Sequence, residues 1–321
     1  MGRYVIRRSL WVILVMLIVT WVAFCIFFLL PSVDPAIAFA GRSPTPELIA
    51  EIEDQLGLDE PWPVQYTLYV KRLFAGDEYG WPGLGLSYDT RTPVLDEVKE
   101  RSIVTFQLAI GAAVLWLAMG IPIGILSALK RRTFADRAAM GFALVAVSAP
   151  VFWLGLVALY IFWEKLGWLP GTGYVPISSS PTGWLEHMIL PWFVIAFLFA
   201  AIYARVVRGN LIDTMGEDYI RTARAKGLPE RMVVRRHGLR AGLTPVITLL
   251  GIDLALLVGN TVVTETVFNL PGLGNYVLIS VNNGDIPAVM AVVVIAALAV
   301  TVISLLVDIV YAYLDPRVRY Q

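Results

Sequence analysis

Six long apolar runs, separated by polar segments, dominate the pattern of the chain. Each is about 20 residues or longer, the length that an α-helix needs to cross the hydrocarbon core of a bilayer. The runs are Leu10 to Leu30, Ile103 to Leu129, Met140 to Phe162, Met188 to Val207, Leu243 to Phe268 and Pro287 to Tyr313. The pattern predicts an all-α polytopic membrane protein with six transmembrane helices.

The composition agrees with a membrane location. Of 321 residues, 58% are hydrophobic and 16% are charged, which is too little polar surface for a soluble globule of this size. The formal net charge is zero, so the chain as a whole offers no basic surface for nucleic acid. Cys25 is the one cysteine and lies inside an apolar run, so the sequence indicates no intramolecular disulfide.

The first apolar run has an alternative interpretation as a signal peptide. Three arginines precede it, and Ala36, Ala38 and Ala40 follow with the spacing of a signal-peptidase site. A signal peptide usually has an apolar core of about 7 to 15 residues, whereas this run has about 20. The length favours a retained helix.

The distribution of Lys and Arg predicts the orientation. The amino-terminal tail has three arginines, Lys130 to Arg137 has four basic residues, and Arg205 to Arg240 has nine. Trp163 to His187 and Asn269 to Ile286 together have one lysine, and Pro31 to Arg101 has thirteen acids against six bases. Basic loops stay in the cytoplasm, so we expect both termini on the cytoplasmic side.

These assignments divide the chain into three parts. Residues 1–30 are the cytoplasmic amino terminus and first helix, residues 31–101 are a small extracytoplasmic cap, and residues 102–321 are a five-helix core with a cytoplasmic loop at 208–243. In the cap, apolar residues at helical spacing predict a short helix from Glu47 to Leu58. The pattern also predicts a second helix at Pro61 to Phe74 and, from its glycines and prolines, an irregular loop at Gly76 to Pro93.

The motifs of common enzymes are missing. ATP hydrolysis by a glycine-rich phosphate loop needs a lysine after a glycine, and no lysine follows a glycine in this chain. His187 and His237 are the only histidines, and neither an HExxH nor a GxSxG motif is present. We therefore expect no catalytic residues, no metal site and no cofactor bound by this chain.

One cytoplasmic segment stands out. Helix-forming residues run from Glu217 to Lys226 and are ended by Gly227 and Pro229, which predicts a capped helix of about ten residues. Such a short helix is marginal in water alone, so it needs a surface to pack on. That surface is either another protein or anionic lipid at the membrane interface.

The same segment carries a family resemblance. The sequence from Asp218 to Gly227, DYIRTARAKG, with RHGLR at Arg236 to Arg240 and then Pro245, resembles the coupling loop of dipeptide and oligopeptide permeases of binding-protein-dependent ATP-binding-cassette (ABC) importers. Other blocks agree in order and spacing: LGL at Leu56 to Leu58, Gln65-Tyr66, ETVF at Glu265 to Phe268, PGLG at Pro271 to Gly274, DIP at Asp285 to Pro287 and LDPR at Leu314 to Arg317. The resemblance covers nearly the whole chain.

Three places depart from the common pattern. Arg221 and Thr222 stand where the broader importer consensus has Glu and Ala, a variant that the peptide branch shows. Pro31 to Pro35, PSVDP, replaces Pro-Gly-Asp-Pro, and Ser304 stands where Asn is commoner.

The resemblance implies the type I ABC importer permease fold in the bacterial inner membrane. The chain would form half of a pathway for dipeptides and oligopeptides. Its expected partners are a second homologous permease, two ABC ATPase subunits or domains that bind ATP and Mg²⁺, an extracytoplasmic substrate-binding protein and membrane lipid. Nickel chelates and glutathione are alternative cargoes within the same importer class.

The resemblance also implies the ATPase contact. In this family the short cytoplasmic helix docks in a groove on the ATPase. The matching positions here are Asp218, Tyr219, Thr222, Ala223, Lys226 and Gly227. Ala223 and Gly227 are four residues apart, so we expect both on one helical face, where their small size would allow close approach.

Polar residues in the fifth run are candidates for the pathway. Asp253 is followed by Asn260 and Thr264 at helical spacing, which predicts a polar stripe on one face. Asp253 either lines the pathway or belongs to a structural hydrogen-bonded pair, because a carboxylate in hydrocarbon is costly. Glu265, in a block that matches the family, is either a gate contact or an interhelical hydrogen bond.

The outer-mouth turn is the last candidate element. Pro271, Gly272 and Gly274 follow the fifth run, and we expect a tight re-entrant turn there because glycine accepts the left-handed backbone. The resemblance places this region beside the outer mouth of the pathway, with an ordinary loop as the alternative.

The residues alone leave two alternative functions open. A secondary transporter needs its own coupling-ion site, for which Asp253 would be the sole candidate. A passive membrane anchor or assembly factor would need neither the capped loop helix nor the polar stripe.

Overall fold

The computed structural model describes residues 2–30 and 60–314. These residues are helical apart from loops and two isolated β-bridges, Asp77 with Gly80 and Leu86 with Pro93. The chain forms two compact units. The first consists of Met1–Thr105, Val258–Val262 and Pro271–Ile309, and the second of Phe106–Leu257, Val263–Leu270 and Val310–Gln321.

The helices are numbered in chain order. They are α1 (Gly2–Phe24, continued by a π-helical turn Cys25–Leu29), α2 (Trp62–Ala75), α3 (Val94–Leu129), α4 (Phe134–Ser148) and α5 (Val151–Ala158, continued by a π-helical segment Leu159–Lys165). There follow α6 (Pro181–Gly216), α7 (Asp218–Ala225), α8 (Glu230–Met232), a π-helical segment Val233–Gly238 and α9 (Leu239–Gly242). The last four are α10 (Thr244–Asn260), α11 (Val262–Phe268), α12 (Leu273–Asn283) and α13 (Ile286–Leu314).

Four helical stretches in the described residues are long and apolar enough to cross a membrane. They are Arg7–Leu29, Val94–Leu129, Pro181–Gly216 and Ile286–Val307. Two bent pairs raise the number of candidate spans to as many as six: Phe134–Ser148 with Val151–Lys165, and Glu230–Gly242 with Thr244–Leu257. The sequence prediction of a multi-pass helical membrane protein is confirmed.

The third predicted span is not one straight helix. Its two halves, α4 and α5, meet at an angle of 102°. Ala149 and Pro150 both have extended backbones between the halves, with ψ angles of 126° and 136°. Proline disfavours a helical conformation of the residue before it and removes a backbone donor, so an apolar run that contains Pro150 bends there.

The residues predicted to form a cap are described in part. The predicted helix at Pro61 to Phe74 is confirmed as α2, which begins one residue later and ends one residue later. The segment between α2 and α3 is irregular, as predicted, with two isolated bridges. The predicted helix from Glu47 to Leu58 lies outside the described residues.

Helix α3 packs closely on α6 in the second unit. A Cβ atom on Gly120 would lie 2.8 Å from the Ala200 carbonyl oxygen, and one on Gly124 would lie 2.7 Å from that of Ala204. Neither distance leaves room for a side chain. Glycine at both positions allows the two backbones to approach, as small residues do between membrane helices.

Candidate functional site

Helix α7 lies in the connecting loop, which comprises residues 217–243 between α6 and α10. The prediction of a short helix ended by Gly227 is confirmed, with helical residues Asp218–Ala225. Gly227 has a φ angle of +76°, and its amide donates to the Arg224 carbonyl at 2.9 Å. The glycine accepts this left-handed conformation without a Cβ penalty and closes the helix.

The inner face of α7 is buried within the loop itself. Ile220 and Ala223 are 0% and 6% exposed, and they cluster with the buried Val233. The partly buried Met215 and Leu228 complete the cluster. The connecting loop therefore packs around a small apolar core to which the end of α6 contributes Met215, and this core holds a helix that would be marginal alone.

An ion pair reinforces this arrangement. The Arg224 guanidinium donates from Nη2 to Glu230 Oε1 at 2.7 Å and from Nε to Oε2 at 3.0 Å. The paired geometry links α7 to α8. Both side chains are about half exposed, so the pair contributes orientation more than stability.

The outer face of α7 is polar and open. Asp218, Tyr219, Thr222 and Lys226 are exposed, with Tyr219 at 45%. Partial burial and the neighbouring Glu217 carboxylate raise the pKa of Tyr219. The open face combines a carboxylate, two hydroxyls and an ammonium group.

Two sequence-predicted contact residues lie elsewhere than expected. Ala223 faces the core of the connecting loop, and Gly227 lies beyond the last helical residue of α7, where a Cβ would meet open space. The expectation that they form one helical face is wrong, because the helix ends before Gly227. The small side chain of Ala223 fits the internal packing of the loop.

The sequence reasoning missed a charged cluster at the amino terminus of α4. Arg208 of α6 donates to both carboxylate oxygens of Asp136, from Nε at 2.7 Å and from Nη2 at 3.0 Å. Asp136 also accepts from Ser127 Oγ at 2.5 Å and from the Arg132 amide at 2.9 Å. The Asp136 side chain is 5% exposed. The signal available in the sequence was one aspartate within the basic segment Lys130 to Arg137, three residues after the helix-capping Thr133.

Asp253 forms a hydrogen-bonded pair. The Tyr203 hydroxyl of α6 donates to Asp253 Oδ2 of α10 at 2.8 Å. Tyr203 is fully buried, whereas Asp253 is only partly buried. One carboxylate oxygen is thus fixed by a buried donor, and part of the group remains accessible at the surface of the unit.

The predicted polar stripe is interrupted. Helix α10 ends at Asn260, Thr261 lies in a turn, and α11 begins at Val262. Asp253 and Thr264 are therefore on different helices, and the expectation of one continuous stripe is wrong. Thr264 is 3% exposed and Glu265 is 0% exposed. The side chain of Asn260 lies outside the described part of the chain.

The segment predicted to lie at the outer mouth is a helix start rather than a left-handed turn. Gly272 caps α12 with φ −96° and ψ 179°, and Gly274 lies inside the helix. The residue with positive φ is Asn269, at +50°. The expectation of left-handed glycines is wrong, because Asn269 takes the left-handed conformation at this turn. At the start of α12, the Leu273 amide donates to Thr105 Oγ1 at 2.9 Å.

The first unit contains two further features. Asp285 accepts from Ser87 Oγ at 2.5 Å and from the Tyr88 amide at 3.0 Å, which fastens the segment between α2 and α3 to the start of α13. A cavity of about 550 Å³ lies beside this segment. Its lining includes Phe24, Tyr69, Arg72, Tyr88 and Met290.

Two family models match most of the chain. Residues 120–320 match the binding-protein-dependent transport system inner membrane component, and residues 1–109 match the amino-terminal component of the same transport systems. Curated relatives match over their full length and that of this chain. They include a dipeptide transport system permease protein of Alkalihalophilus pseudofirmus at 37% identity, a putative peptide transport system permease protein of Brucella abortus at 39% and a glutathione transport system permease protein of Salmonella choleraesuis at 38%.

Solved structures share the fold. An inward-facing structure of the MetNI methionine ABC transporter matches with a TM-score of 0.54 at 19% identity, covering 70% of this chain and 98% of that chain. An amino acid ABC transporter crystallised with histidines matches with a TM-score of 0.53 at 15% identity, covering 68% of this chain and 94% of that chain. At these identities the likeness shows a common helical architecture.

Proposed function

Because the chain belongs to the family of binding-protein-dependent transport system inner membrane components, we propose that it is the permease subunit of an ATP-driven importer of dipeptides and oligopeptides. The observation that supports this most is the connecting loop, in which α7 is held by an apolar core on one side and presents an open polar face on the other. A loop built this way offers a rigid surface to a soluble partner.

The proposed topology has six spans with both termini in the cytoplasm. Each bent pair counts as one span, which gives the upper number that the described helices allow. The basic segments then lie on the cytoplasmic side, and α2 belongs to the extracytoplasmic cap. This arrangement puts the connecting loop on the side where ATP is available.

The energy for transport comes from partner subunits in this proposal. Two ABC ATPase subunits or domains bind ATP and Mg²⁺, and α7 docks on one of them through Asp218, Tyr219, Thr222 and Lys226. Ala223 and Gly227 shape the docking helix, one by packing inside the loop and the other by ending the helix. Movement of the ATPases then reaches the membrane through α6, which is followed by α7 after one residue.

A second, homologous permease completes the pathway. Asp253 supports this assignment because a partly exposed carboxylate in hydrocarbon is costly and therefore faces water or a partner. The buried Thr264 and Glu265 support the packing around the pathway, and Asn260 remains a lining candidate. The start of α12, at Pro271 to Gly274, remains a candidate for the outer mouth.

The cargo class follows from the relatives. Two of those described are named for peptides and one for glutathione, itself a modified tripeptide. Glutathione is therefore the second candidate cargo, and nickel chelates are a weaker one. An extracytoplasmic binding protein would deliver the cargo, as the family description implies.

Purification of the complex tests the proposal. The chain is isolated from its native membrane in mild detergent, associated proteins are identified by mass spectrometry, and ATPase activity is measured. We expect a second permease and ABC ATPases with vanadate-sensitive activity. Isolation of the chain without ATPases would contradict the proposal and favour a secondary transporter.

A second measurement assigns the cargo. Uptake of labelled dipeptides, oligopeptides and glutathione is compared in cells with and without the chain, with and without ATP depletion. ATP-dependent uptake of one class identifies the cargo, whereas uptake that follows an ion gradient alone would support the secondary-transporter alternative.

A further inference from the structure

Helix α2 contacts α1 well inside the apolar run of α1. The Tyr66 hydroxyl donates to the Leu17 carbonyl at 3.2 Å and lies 3.1 Å from Thr20 Oγ1. The apolar stretch of α1 continues to Leu29, nine residues beyond Thr20. At a rise of about 1.5 Å per residue, the contact lies about 13 Å below the end of that stretch.

The length of α1 leaves little freedom to lift this contact out of the bilayer. The stretch Arg7–Leu29 has 23 residues, or about 35 Å, and the hydrocarbon core is about 30 Å thick. The stretch exceeds the core by only about 5 Å, which is less than the roughly 13 Å between the contact and the end of the stretch. A residue that touches Thr20 is consequently at the depth of lipid acyl chains.

The contact face of α2 suits this depth. Trp62, Tyr66 and Tyr69 recur at helical spacing and pack against Trp21 and Phe24 in tilted, edge-to-face and stacked pairs, with ring centroids 4.9 to 6.5 Å apart. The Tyr66 hydroxyl is hydrogen-bonded within the protein, as a polar group must be where water is missing. Aromatic packing and a satisfied hydroxyl therefore join α2 to α1 without requiring solvent.

The opposite face of α2 carries exposed apolar side chains. Val64 and Leu68 are 41% and 39% exposed, and Phe74 at the end of the helix is 58% exposed. On α1, Ile18 and Val22 are also exposed, at 52% and 48%. The exposed apolar surface of the span thus has a counterpart on α2.

Charges agree with a lipid surface. The sequence of α2 contains no acidic residue, and its two basic residues, Lys71 and Arg72, are exposed near its carboxy-terminal end. Trp81, which donates from Nε1 to the Phe74 carbonyl, is 69% exposed at the same end. Basic and tryptophan side chains are the groups that anchor proteins at the headgroup level.

From these observations we infer that α2 is inserted in one leaflet of the bilayer, with Val64 and Leu68 against acyl chains and with Lys71 and Arg72 at the phosphate groups. The leaflet is the one at the Leu29 end of α1, which is the outer leaflet in the proposed topology. The cap is then partly a membrane element, and the partner on this face is lipid.

Site-directed spin labelling measures the depth directly. In the full-length chain with Cys25→Ala, a nitroxide is attached at Leu68→Cys, and Glu100→Cys on α3, an exposed acidic position, is the matched control. The labelled chains are placed in phospholipid vesicles with their partner subunits but without binding protein. Collisions with oxygen, which concentrates in lipid, are compared with collisions with a water-soluble nickel chelate.

Lipid insertion predicts that oxygen collides more often than the chelate at position 68 and less often at position 100. Frequent chelate collisions at position 68 would overturn the inference and leave that face for the binding protein. Low collision rates with both reagents would also overturn it, since they would indicate cover by protein. The measurement needs no transport activity, so its result is separate from the proposed function, and Val64→Cys provides a second position if Leu68→Cys does not assemble.

Discussion

Arg208 of α6 holds Asp136 of α4 through two hydrogen bonds, and Asp136 has one-twentieth of its side chain exposed. Ser127 near the end of α3 donates to the same carboxylate. One buried group therefore ties together three helices of the second unit. It also fixes the part of α6 that leads directly to the connecting loop.

Replacement of Asp136 tests this tie. Asp136→Asn removes the negative charge and leaves Arg208 without its ionic partner, so we expect a loss of about 1 to 3 kcal/mol of stability. The measurement is thermal unfolding of the purified chain in detergent. Asp213→Asn, an exposed position on the same helix as Arg208, is the control and should leave the Tm unchanged. Equal Tm values for the two variants would show that the ion pair does not stabilise the fold.

Substitutions at two alanines of α7 test the packing of the connecting loop. Ala223→Glu places a carboxylate in the apolar core of the connecting loop, whereas Ala225→Glu places it on an exposed position of the same helix. A buried unpaired charge is strongly destabilising, so we expect faster trypsin cleavage within the loop for Ala223→Glu alone. Limited proteolysis in membrane vesicles measures this, and similar cleavage of both variants would contradict the assigned packing.

A substitution on the exposed face of α7 tests docking on the ATPase. Thr222→Glu should leave the loop as resistant to trypsin as the wild type, because Thr222 is exposed. If this face docks on an ATPase, the new charge lowers uptake and the recovery of ATPase subunits with the chain. Unchanged uptake and recovery would place the docking surface elsewhere.

Two conservative substitutions distinguish the roles of Tyr203 and Asp253. Tyr203→Phe removes the donor to the carboxylate and should cost about 1 kcal/mol of stability. Asp253→Asn keeps an acceptor for the Tyr203 hydroxyl but removes the charge, so its Tm should change less. If Asp253 lines the pathway, Asp253→Asn alters uptake of cationic and anionic peptides to different extents. Normal uptake of both classes would assign Asp253 a structural role.

Close packing of α3 on α6 gives a further prediction. A Cβ at Gly124 would approach the Ala204 carbonyl oxygen to 2.7 Å, so Gly124→Ala should lower the Tm. Gly141→Ala is the control, because a Cβ there meets open space and alanine favours a helix by about 1 kcal/mol over glycine. The prediction fails if both variants unfold at or above the wild-type temperature.

The sequence was sufficient for elements whose signals are local. Apolar length identified the membrane stretches, and a helix start with a glycine stop identified α7 within one residue at each end. The bend at Pro150 and the break at Thr261 were missed because hydropathy measures how a segment partitions and not whether its axis is straight.

Long-range pairs were beyond the sequence pattern. Arg208 and Asp136 are 72 residues apart, and Tyr203 and Asp253 are 50 apart. Each appears in the sequence as a polar residue in or beside an apolar run, and only the packing of α6 against α4 and α10 selects its partner. The orientation of Ala223 was missed for the same reason, since Val233 lies on a later segment of the loop.

The hydrogen bond between Ser87 and Asp285 has a consequence for biosynthesis. It joins residues 198 positions apart, so the ribosome must add almost two-thirds of the chain after Ser87 before it reaches Asp285. At about 5 to 20 residues per second, this takes roughly 10 to 40 s. During that interval the carboxylate that accepts from Ser87 has not been synthesised, so the contact between the segment after α2 and the start of α13 forms late in synthesis.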